Sequence, residues 1–109
     1  MPNIEGVAYP NKVFTFEERD VPNSLTDATA VDTWVIEVII TNRTSAAITL
    51  TLQDKQSTPF EFLEASSFPA NKTSYITFRR PRKFTGGISR QASAATGLNL
   101  VIEGYQTTG

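Results

Sequence analysis

Residues 34–52 constrain the fold most, because two runs of strand-forming residues flank a short polar break. The first run reads Trp-Val-Ile-Glu-Val-Ile-Ile-Thr, the break reads Asn-Arg-Thr-Ser, and the second run reads Ala-Ala-Ile-Thr-Leu-Thr-Leu. In the second run Ile48, Leu50 and Leu52 alternate with threonines, a period of two that is typical of a strand with one buried and one solvated face. The segment predicts two β-strands folded back on a tight turn.

Similar alternation recurs along the chain at short intervals. It predicts about seven strands, at residues 12–18, 33–41, 48–52, 60–64, 73–79, 84–92 and 97–105. Residues 20–32 are rich in turn formers and are predicted to be a long connection that includes one helical turn at most. This order is typical of an all-β antiparallel sandwich, either Ig-like or jelly-roll-like, and not of alternating βαβ units.

The chain has 109 residues, which is enough for one domain and too few for two. We expect that domain over residues 12–109, preceded by an extended arm of residues 1–11 that has no periodic pattern. The sequence begins without the basic and apolar regions of a signal peptide, and no apolar run is long enough to cross a bilayer. We therefore expect synthesis in a cytoplasm without a signal peptide, and no membrane partner.

The charges are unevenly distributed along the chain. Residues 1–66 contain ten acidic and four basic residues, a net charge of −6, whereas residues 67–109 contain one acidic and six basic residues, a net charge of +5. If the two halves occupy different surfaces, copies of the chain are expected to associate head to tail. If the halves interleave in one sandwich, the asymmetry cancels in space.

Histidine and cysteine are both absent, which excludes most enzyme mechanisms. The usual general base, the thiolate nucleophile and the normal ligands of zinc, haem and iron–sulfur clusters are all missing. Glu17 and Glu18 are neighbours on one predicted strand, so their side chains point to opposite faces and cannot act on one substrate. The remaining acids are assigned to separate loops and solvated faces. We therefore expect a protein that is not an enzyme, with no catalytic residue, no cofactor and no metal site.

The run Arg79-Arg80-Pro81-Arg82-Lys83 is the strongest local concentration of charge. It is predicted to be a loop between two strands that Pro81 keeps extended, and it is suited either to an acidic protein surface or to solvent. Nucleic acid is not the expected partner, because four basic residues in a chain with an isoelectric point near 5.3 make a small footprint. Gly86-Gly87 is predicted to be a bulge or tight bend in a strand, or a place where another backbone segment approaches closely.

Aromatic residues supply the other candidates for partner binding. Trp34 shares its parity with Ile36, Val38 and Ile40, which predicts that it lies in the core. Short or terminal strands leave one face open, so better candidates for an exposed aromatic patch are Tyr75, Tyr105, Phe60 and Phe62. The predicted partner-binding residues are Arg79, Arg80, Arg82, Lys83, Tyr75 and Tyr105.

Three segments carry a recognisable order of turns and alternating strands: Ile40-Thr-Asn-Arg-Thr-Ser-Ala-Ala-Ile-Thr-Leu-Thr-Leu52, Phe68-Pro-Ala-Asn-Lys-Thr73 and Phe84-Thr-Gly-Gly-Ile88, followed by Gly97-Leu98 and Gly104-Tyr105. In this order they resemble the small β-sandwich virion proteins of tailed bacteriophages. The resemblance implies a structural subunit of the head surface, neck or tail that assembles in several copies with other virion proteins. It implies no catalytic residue. A carbohydrate-binding or adhesin module with an exposed aromatic platform remains the alternative.

Overall fold

The computed structural model describes residues 12–106, which contain eight strands and no helix. The strands are β1 (Lys12–Glu18), β2 (Thr26–Thr29), β3 (Thr33–Asn42), β4 (Ile48–Asp54), β5 (Glu61–Phe68), β6 (Lys72–Phe84), β7 (Ile88–Ala92) and β8 (Leu98–Gln106). The expected extended arm, residues 1–11, and the last residues of the expected domain, 107–109, lie outside the described residues. Within residues 12–106 there is no helix that could span a membrane.

The strands form two antiparallel sheets, as the all-β prediction required. The first sheet has the order β1-β8-β3-β6 and the second has the order β2-β7-β4-β5. The pairing is nested, since β1 pairs with β8, β2 with β7, β3 with β6 and β4 with β5. Only β4 and β5 are both consecutive in sequence and paired, so nearly every connection crosses from one sheet to the other.

The core lies between the two sheets, where alternate residues of the central strands meet. Strand β4 follows its predicted pattern, with Ile48, Leu50 and Leu52 buried and the intervening threonines half-buried. Strand β8 alternates in the same way and contributes Leu100 and Ile102. Each fully buried side chain of this size stabilises the fold by about 1.5–3 kcal/mol.

The turn after Asn42 is present, but it does not make a hairpin. Strands β3 and β4 lie in different sheets, so the chain crosses the sandwich between them. The buried Asn42 side chain holds this crossing, because its Nδ2 donates to the carbonyl oxygens of Ala46 (2.9 Å) and Phe68 (3.1 Å). Its Oδ1 accepts hydrogen bonds from the amide and the hydroxyl of Thr44. Alternation predicts strands but does not say which sheet each one joins.

A bulge changes the parity of β3, and for this reason the prediction that Trp34 lies in the core is wrong. The register of β3 shifts between Val35 and Glu37 against both neighbouring strands. Val35 and Val38 are fully buried, whereas Trp34 is half-buried and points away from the core. A bulge adds one residue to a strand and reverses which side chains face inward, and a period-two pattern cannot anticipate this.

Two further segments differ from the sequence predictions. The expected connection at residues 20–32 contains β2 and no helical turn. Gly86 and Gly87 lie in the turn between β6 and β7, with φ angles of 80° and 127°, and not within a strand. A Cβ at Gly87 would meet the Thr29 carbonyl oxygen at 2.2 Å, so the close approach to β2 requires glycine there.

Candidate functional site

The outward side chains of β1, β8, β3 and β6 form one continuous surface, here named the outer face. Register pairs its residues into rows across the sheet. The first row is Val13, Tyr105, Trp34 and Lys83; the second is Thr15, Glu103, Glu37 and Thr77; the third is Glu17, Val101, Ile39 and Tyr75. The first and third rows are mainly apolar, and the second carries charge.

The first row is built around the Trp34 ring. Tyr105 lies directly opposite Trp34 on β8 and is 37% exposed, and Val13 continues the row onto β1 with an exposed side chain. The Lys83 ammonium lies 5.2 Å from the centre of the Trp34 ring and 3.5 Å from Asp32 Oδ2. Trp34 and Tyr105 therefore form an accessible aromatic pair with a cation at one end.

The third row is the second apolar strip of the outer face. Tyr75 is 66% exposed, and its β3 and β8 neighbours Ile39 and Val101 are half-buried. Tyr75 and Tyr105 thus share one face but lie in different rows, with the charged row between them. They do not form one contiguous aromatic platform.

The second row places two carboxylates opposite each other. Glu37 of β3 pairs with Glu103 of β8, and the Thr77 hydroxyl donates to Glu37 Oε2 at 3.1 Å. Both residues lie on a sheet face, one of the two settings predicted for the remaining acids, but their pairing across strands was not predicted. Like charges on directly opposed residues destabilise a sheet unless a cation lies near them. The described residues form no ion pair with either carboxylate.

The basic run is not a loop between strands, because it lies within β6. Val35 pairs with Arg82 and Glu37 pairs with Thr77, so residues 78–81 have only Ile36 opposite them and bulge outward. We name residues 78–82 the basic bulge. Its residues and Thr77 surround a concavity of about 640 Å³, and Arg79, Arg80 and Arg82 are all exposed. Pro81 and the bulge prevent this part of the edge strand from pairing with another strand.

A cleft opens between the sheets beside the basic bulge, where β5 and β6 are the edge strands. It has a volume of about 360 Å³, with Val38 and Leu52 at its base and Phe60, Phe62 and Phe78 on its walls. The Phe62 ring stacks on the buried Phe84 ring with centroids 3.9 Å apart. The Arg82 guanidinium lies 5.9 Å from the centre of the Phe62 ring. We name this region the open edge.

The opposite edge of the sandwich, between β1 and β2, is closed. Arg90 points inward from β7 and forms a bidentate ion pair with Glu18 of β1, with Nε 2.8 Å from Oε1. The Arg90 and Glu18 side chains are only 7% and 20% exposed, and the guanidinium lies 5.1 Å from the centre of the Phe16 ring. Glu17 is exposed on the outer face, so the prediction that Glu17 and Glu18 point to opposite faces is confirmed.

The two halves of the sequence interleave, since each sheet takes strands from both of them. Two ion pairs, Lys83–Asp32 and Arg90–Glu18, join a base of the second half to an acid of the first and offset part of the charge asymmetry. The other two, Arg43–Asp20 and Lys55–Asp27, form within the first half. Among residues 12–106, the charged side chains without an ion-pair partner include Lys12, Arg19, Glu61, Glu64 and Lys72 and two groups of like charge on the surfaces named above. The two groups are Arg79, Arg80 and Arg82 on the basic bulge, and Glu17, Glu37 and Glu103 on the outer face.

Two other carboxylates are held by donors from the protein. The Lys55 ammonium and the Ser89 hydroxyl hydrogen-bond to exposed Asp27 and lower its pKa. Burial acts to raise the pKa of Asp54, but hydrogen bonds from the Gln56 side chain and the Phe60 and Gln56 amides outweigh it, so the pKa is lowered. In the described part of the chain no three acidic side chains group as a metal site would require.

The structure brings only some of the predicted partner-binding residues together. Tyr105 and Lys83 both lie next to Trp34, and Tyr75 lies two rows away on the same face. Of the three arginines of the basic bulge, Arg82 lies over Phe62 at the open edge, and Arg79 and Arg80 project outward. Sequence reasoning missed Trp34 as a surface residue, and it did not predict that Glu37 and Glu103 lie opposite each other. A usable signal was present, because Glu37 and Glu103 each interrupt an apolar strand, where a charge marks the solvated side.

Comparison with models of known protein families and with curated proteins found no match to this chain.

Proposed function

We propose that this chain is a non-enzymatic structural subunit that works through multi-copy assembly. The observation that carries the proposal is the outer face, where aromatic and aliphatic residues of the two central strands are half-buried or exposed. A sandwich that works alone is expected to be polar on its outer faces, and exposed apolar area with aromatic anchors is typical of an interface. The partners in this proposal are further copies of the chain and neighbouring proteins of the particle.

We further propose that the particle is a bacteriophage virion, with the chain serving as a capsid decoration or cementing protein, or as a neck or tail connecting protein. The nested pairing of eight strands supports this, because it is the connectivity of a jelly roll, an architecture that viral capsid domains share with lectins. In this proposal the protein is made in the cytoplasm of the host bacterium and resides in the virion.

The experiment is a mass measurement of the purified full-length chain over a wide range of concentration, combined with electron microscopy of the product. The proposal predicts a defined oligomer or a regular polymer that dissociates on dilution. A matched pair of variants locates the contact: Val101→Ser on the outer face is expected to weaken assembly, and Thr49→Ser on the outside of the second sheet is not. A chain that stays monomeric at every concentration contradicts self-assembly.

A carbohydrate-binding module is the second candidate, and one observation favours it. Trp34 and Tyr105 form an adjacent aromatic pair beside Glu37 and Glu103, and rings with nearby carboxylates can stack on a sugar and accept its hydroxyl hydrogen bonds. A glycan array tests this candidate. Saturable binding that is lost in Trp34→Ala and kept in Tyr75→Ala would support the module over the structural subunit.

A further inference from the structure

We propose that the outer face of one copy binds the basic bulge of a second copy, so that successive copies join head to tail. This inference rests on the proposed function, because it names the two surfaces through which assembly takes place. The first observation that supports it is that the charged side chains without an ion-pair partner are negative on the outer face and positive on the bulge.

The acidic row supplies a position for cations. Glu37 and Glu103 face each other across neighbouring strands, and Glu17 lies on the adjacent edge strand β1. The Thr77 hydroxyl neutralises no charge, so the repulsion between the two opposed carboxylates persists in the isolated chain. A guanidinium placed over the row removes that repulsion and forms charge-assisted hydrogen bonds.

The apolar rows on both sides of the acids fit arginine in particular. Trp34 and Tyr105 lie on one side, and Tyr75 with Ile39 and Val101 lies on the other. The guanidinium plane stacks on aromatic rings while its edges reach carboxylates, and the ammonium of lysine does not combine the two contacts as well. Interfaces are enriched in tyrosine, tryptophan and arginine for this reason.

The basic bulge is suited to insert into such a surface. Arg79 and Arg80 project from the edge strand, and Pro81 restricts the backbone between them and Arg82, which lowers the entropy lost on binding. Although Thr77 precedes the bulge and contacts Glu37, none of the three arginines forms an ion pair with an acid of its own outer face. The bulge and the acidic row therefore complement each other between copies.

Two different surfaces of the same chain make this contact heterologous. A bound pair still presents one free outer face, on one copy, and one free bulge, on the other, so association continues until a ring closes or a filament grows. A phosphate-rich nucleic acid is the competing partner for the arginines. The acidic row beside the bulge repels a polyanion, so the second copy is favoured.

Complementary charge reversal tests the contact. The face-reversed variant carries Glu37→Lys and Glu103→Lys, and the bulge-reversed variant carries Arg79→Glu and Arg80→Glu. In each variant alone the two surfaces have the same sign, so we expect loss of assembly at concentrations where the wild type assembles. An equimolar mixture restores opposite signs at every contact, and we expect it to assemble with alternating copies.

Matched controls separate this contact from general charge effects and from misfolding. Glu64→Lys and Lys72→Glu change exposed charges outside both surfaces and should assemble as the wild type does. Circular dichroism and thermal unfolding check the fold of each variant. If a reversed variant does not fold, the milder pairs Glu37→Gln with Glu103→Gln, and Arg79→Gln with Arg80→Gln, should each weaken association by about tenfold or more.

The outcomes distinguish this inference from the proposed function. A wild type that never self-associates refutes both. A wild type that assembles, with folded reversed variants that assemble equally well, refutes only the head-to-tail contact. Folded variants that stay monomeric when mixed also refute it. Binding of a single-stranded oligonucleotide by the wild type, lost in the bulge-reversed variant while assembly is kept, assigns the arginines to nucleic acid instead.

Discussion

The two edges of the sandwich place an arginine over a phenylalanine in similar ways, yet they treat its charge differently. At the closed edge Arg90 lies over Phe16 and is held by Glu18, with both charges largely removed from solvent. At the open edge Arg82 lies over Phe62 and is exposed, without an ion-pair partner among the described residues. The closed edge pairs its charge inside the domain, and the open edge leaves its charge exposed.

The difference also follows from the strands at each edge. Glu18 of β1 and Arg90 of β7, the strand that pairs with β2, meet across the two sheets. Strands β5 and β6 bring aromatic rings together over a cleft of about 360 Å³, and the bulge of β6 carries its arginines outward. We therefore expect substitutions at the closed edge to lower the free energy of unfolding, and substitutions at the open edge to affect binding with little change in stability.

The largest expected effect is at the closed edge, in Glu18→Ala. Removing this carboxylate leaves the Arg90 guanidinium buried without its partner, and we expect a loss of about 3 kcal/mol in the free energy of unfolding, near the lower end for a broken buried pair. Urea denaturation measures the loss. The adjacent, exposed Glu17→Ala is the matched control and should change stability by less than about 0.5 kcal/mol. Equal losses in the two variants would contradict the closed-edge account.

A smaller loss is expected from Asp54→Ala, which loosens the approach to the open edge. Asp54 accepts the Phe60 amide hydrogen bond at 2.9 Å, and its own amide donates to the Phe60 carbonyl oxygen at 3.0 Å. Alanine leaves the Phe60 amide without its acceptor, at a cost of about 2 kcal/mol. Denaturation of Asp54→Asn, which retains an acceptor oxygen, provides the comparison and should show a smaller loss.

Asp27 near the closed edge and Asp54 near the open edge should both make stability depend on pH, but they should respond differently to salt. The pKa values of Asp27 and Asp54 are both lowered in the folded chain, so their contributions are complete above the unfolded pKa of about 3.9 and are lost as the pH falls toward the folded values. The Asp27 contribution comes mainly from the ion pair of exposed Asp27 with half-buried Lys55 and should fade in high salt, whereas Asp54 is held by uncharged donors.

Unfolding midpoints of the wild type, Asp27→Asn and Asp54→Asn, measured between pH 5 and pH 3 at low and high salt, check this prediction. Asp27→Asn should flatten the acid-induced decline only at low salt, and Asp54→Asn should flatten it at both. A decline that neither substitution changes would show that other groups cause it.

The smallest expected effect on stability is Arg82→Ala, the counterpart at the open edge. It removes a cation from the Phe62 ring and breaks no ion pair, so the loss should be about 0.5 kcal/mol. The same denaturation series compares it directly with Glu18→Ala. If Arg82→Ala destabilised the chain as strongly as Glu18→Ala does, the open edge would be a structural element and the contrast between the edges would be wrong.

Much of the sandwich could be predicted from the sequence, because alternation along β1, β4 and β8 is a local property of the chain. The length of β1 and the burial pattern of β4 follow their predictions closely. Trp34 was misplaced because the bulge at Ile36 reverses parity in the middle of a strand whose residues are apolar on both faces. No local signal distinguishes a continuous apolar strand from a bulged one.

The candidate site was harder to predict because it depends on pairing between distant strands. Glu37 and Glu103 are 66 positions apart in the sequence and become neighbours only through the nested pairing of β3 with β8. The arginine run was recognised as a binding candidate from composition alone, but its position on the edge strand was not. The register between distant strands decides which charges share a surface, and this register cannot be inferred from the local pattern of one sequence.

Hydrogen–deuterium exchange of the full-length wild type, at dilute and at assembling concentrations, tests the central claim most directly. That claim is that the open edge and the outer face form the binding surface while the closed edge only stabilises the fold. Assembly should slow exchange at the amides of Arg79, Arg80 and Arg82 and leave the amides of β2 and β7 unchanged. Slowed exchange confined to β2 and β7, or assembly without any change at Arg79, Arg80 and Arg82, would contradict the account.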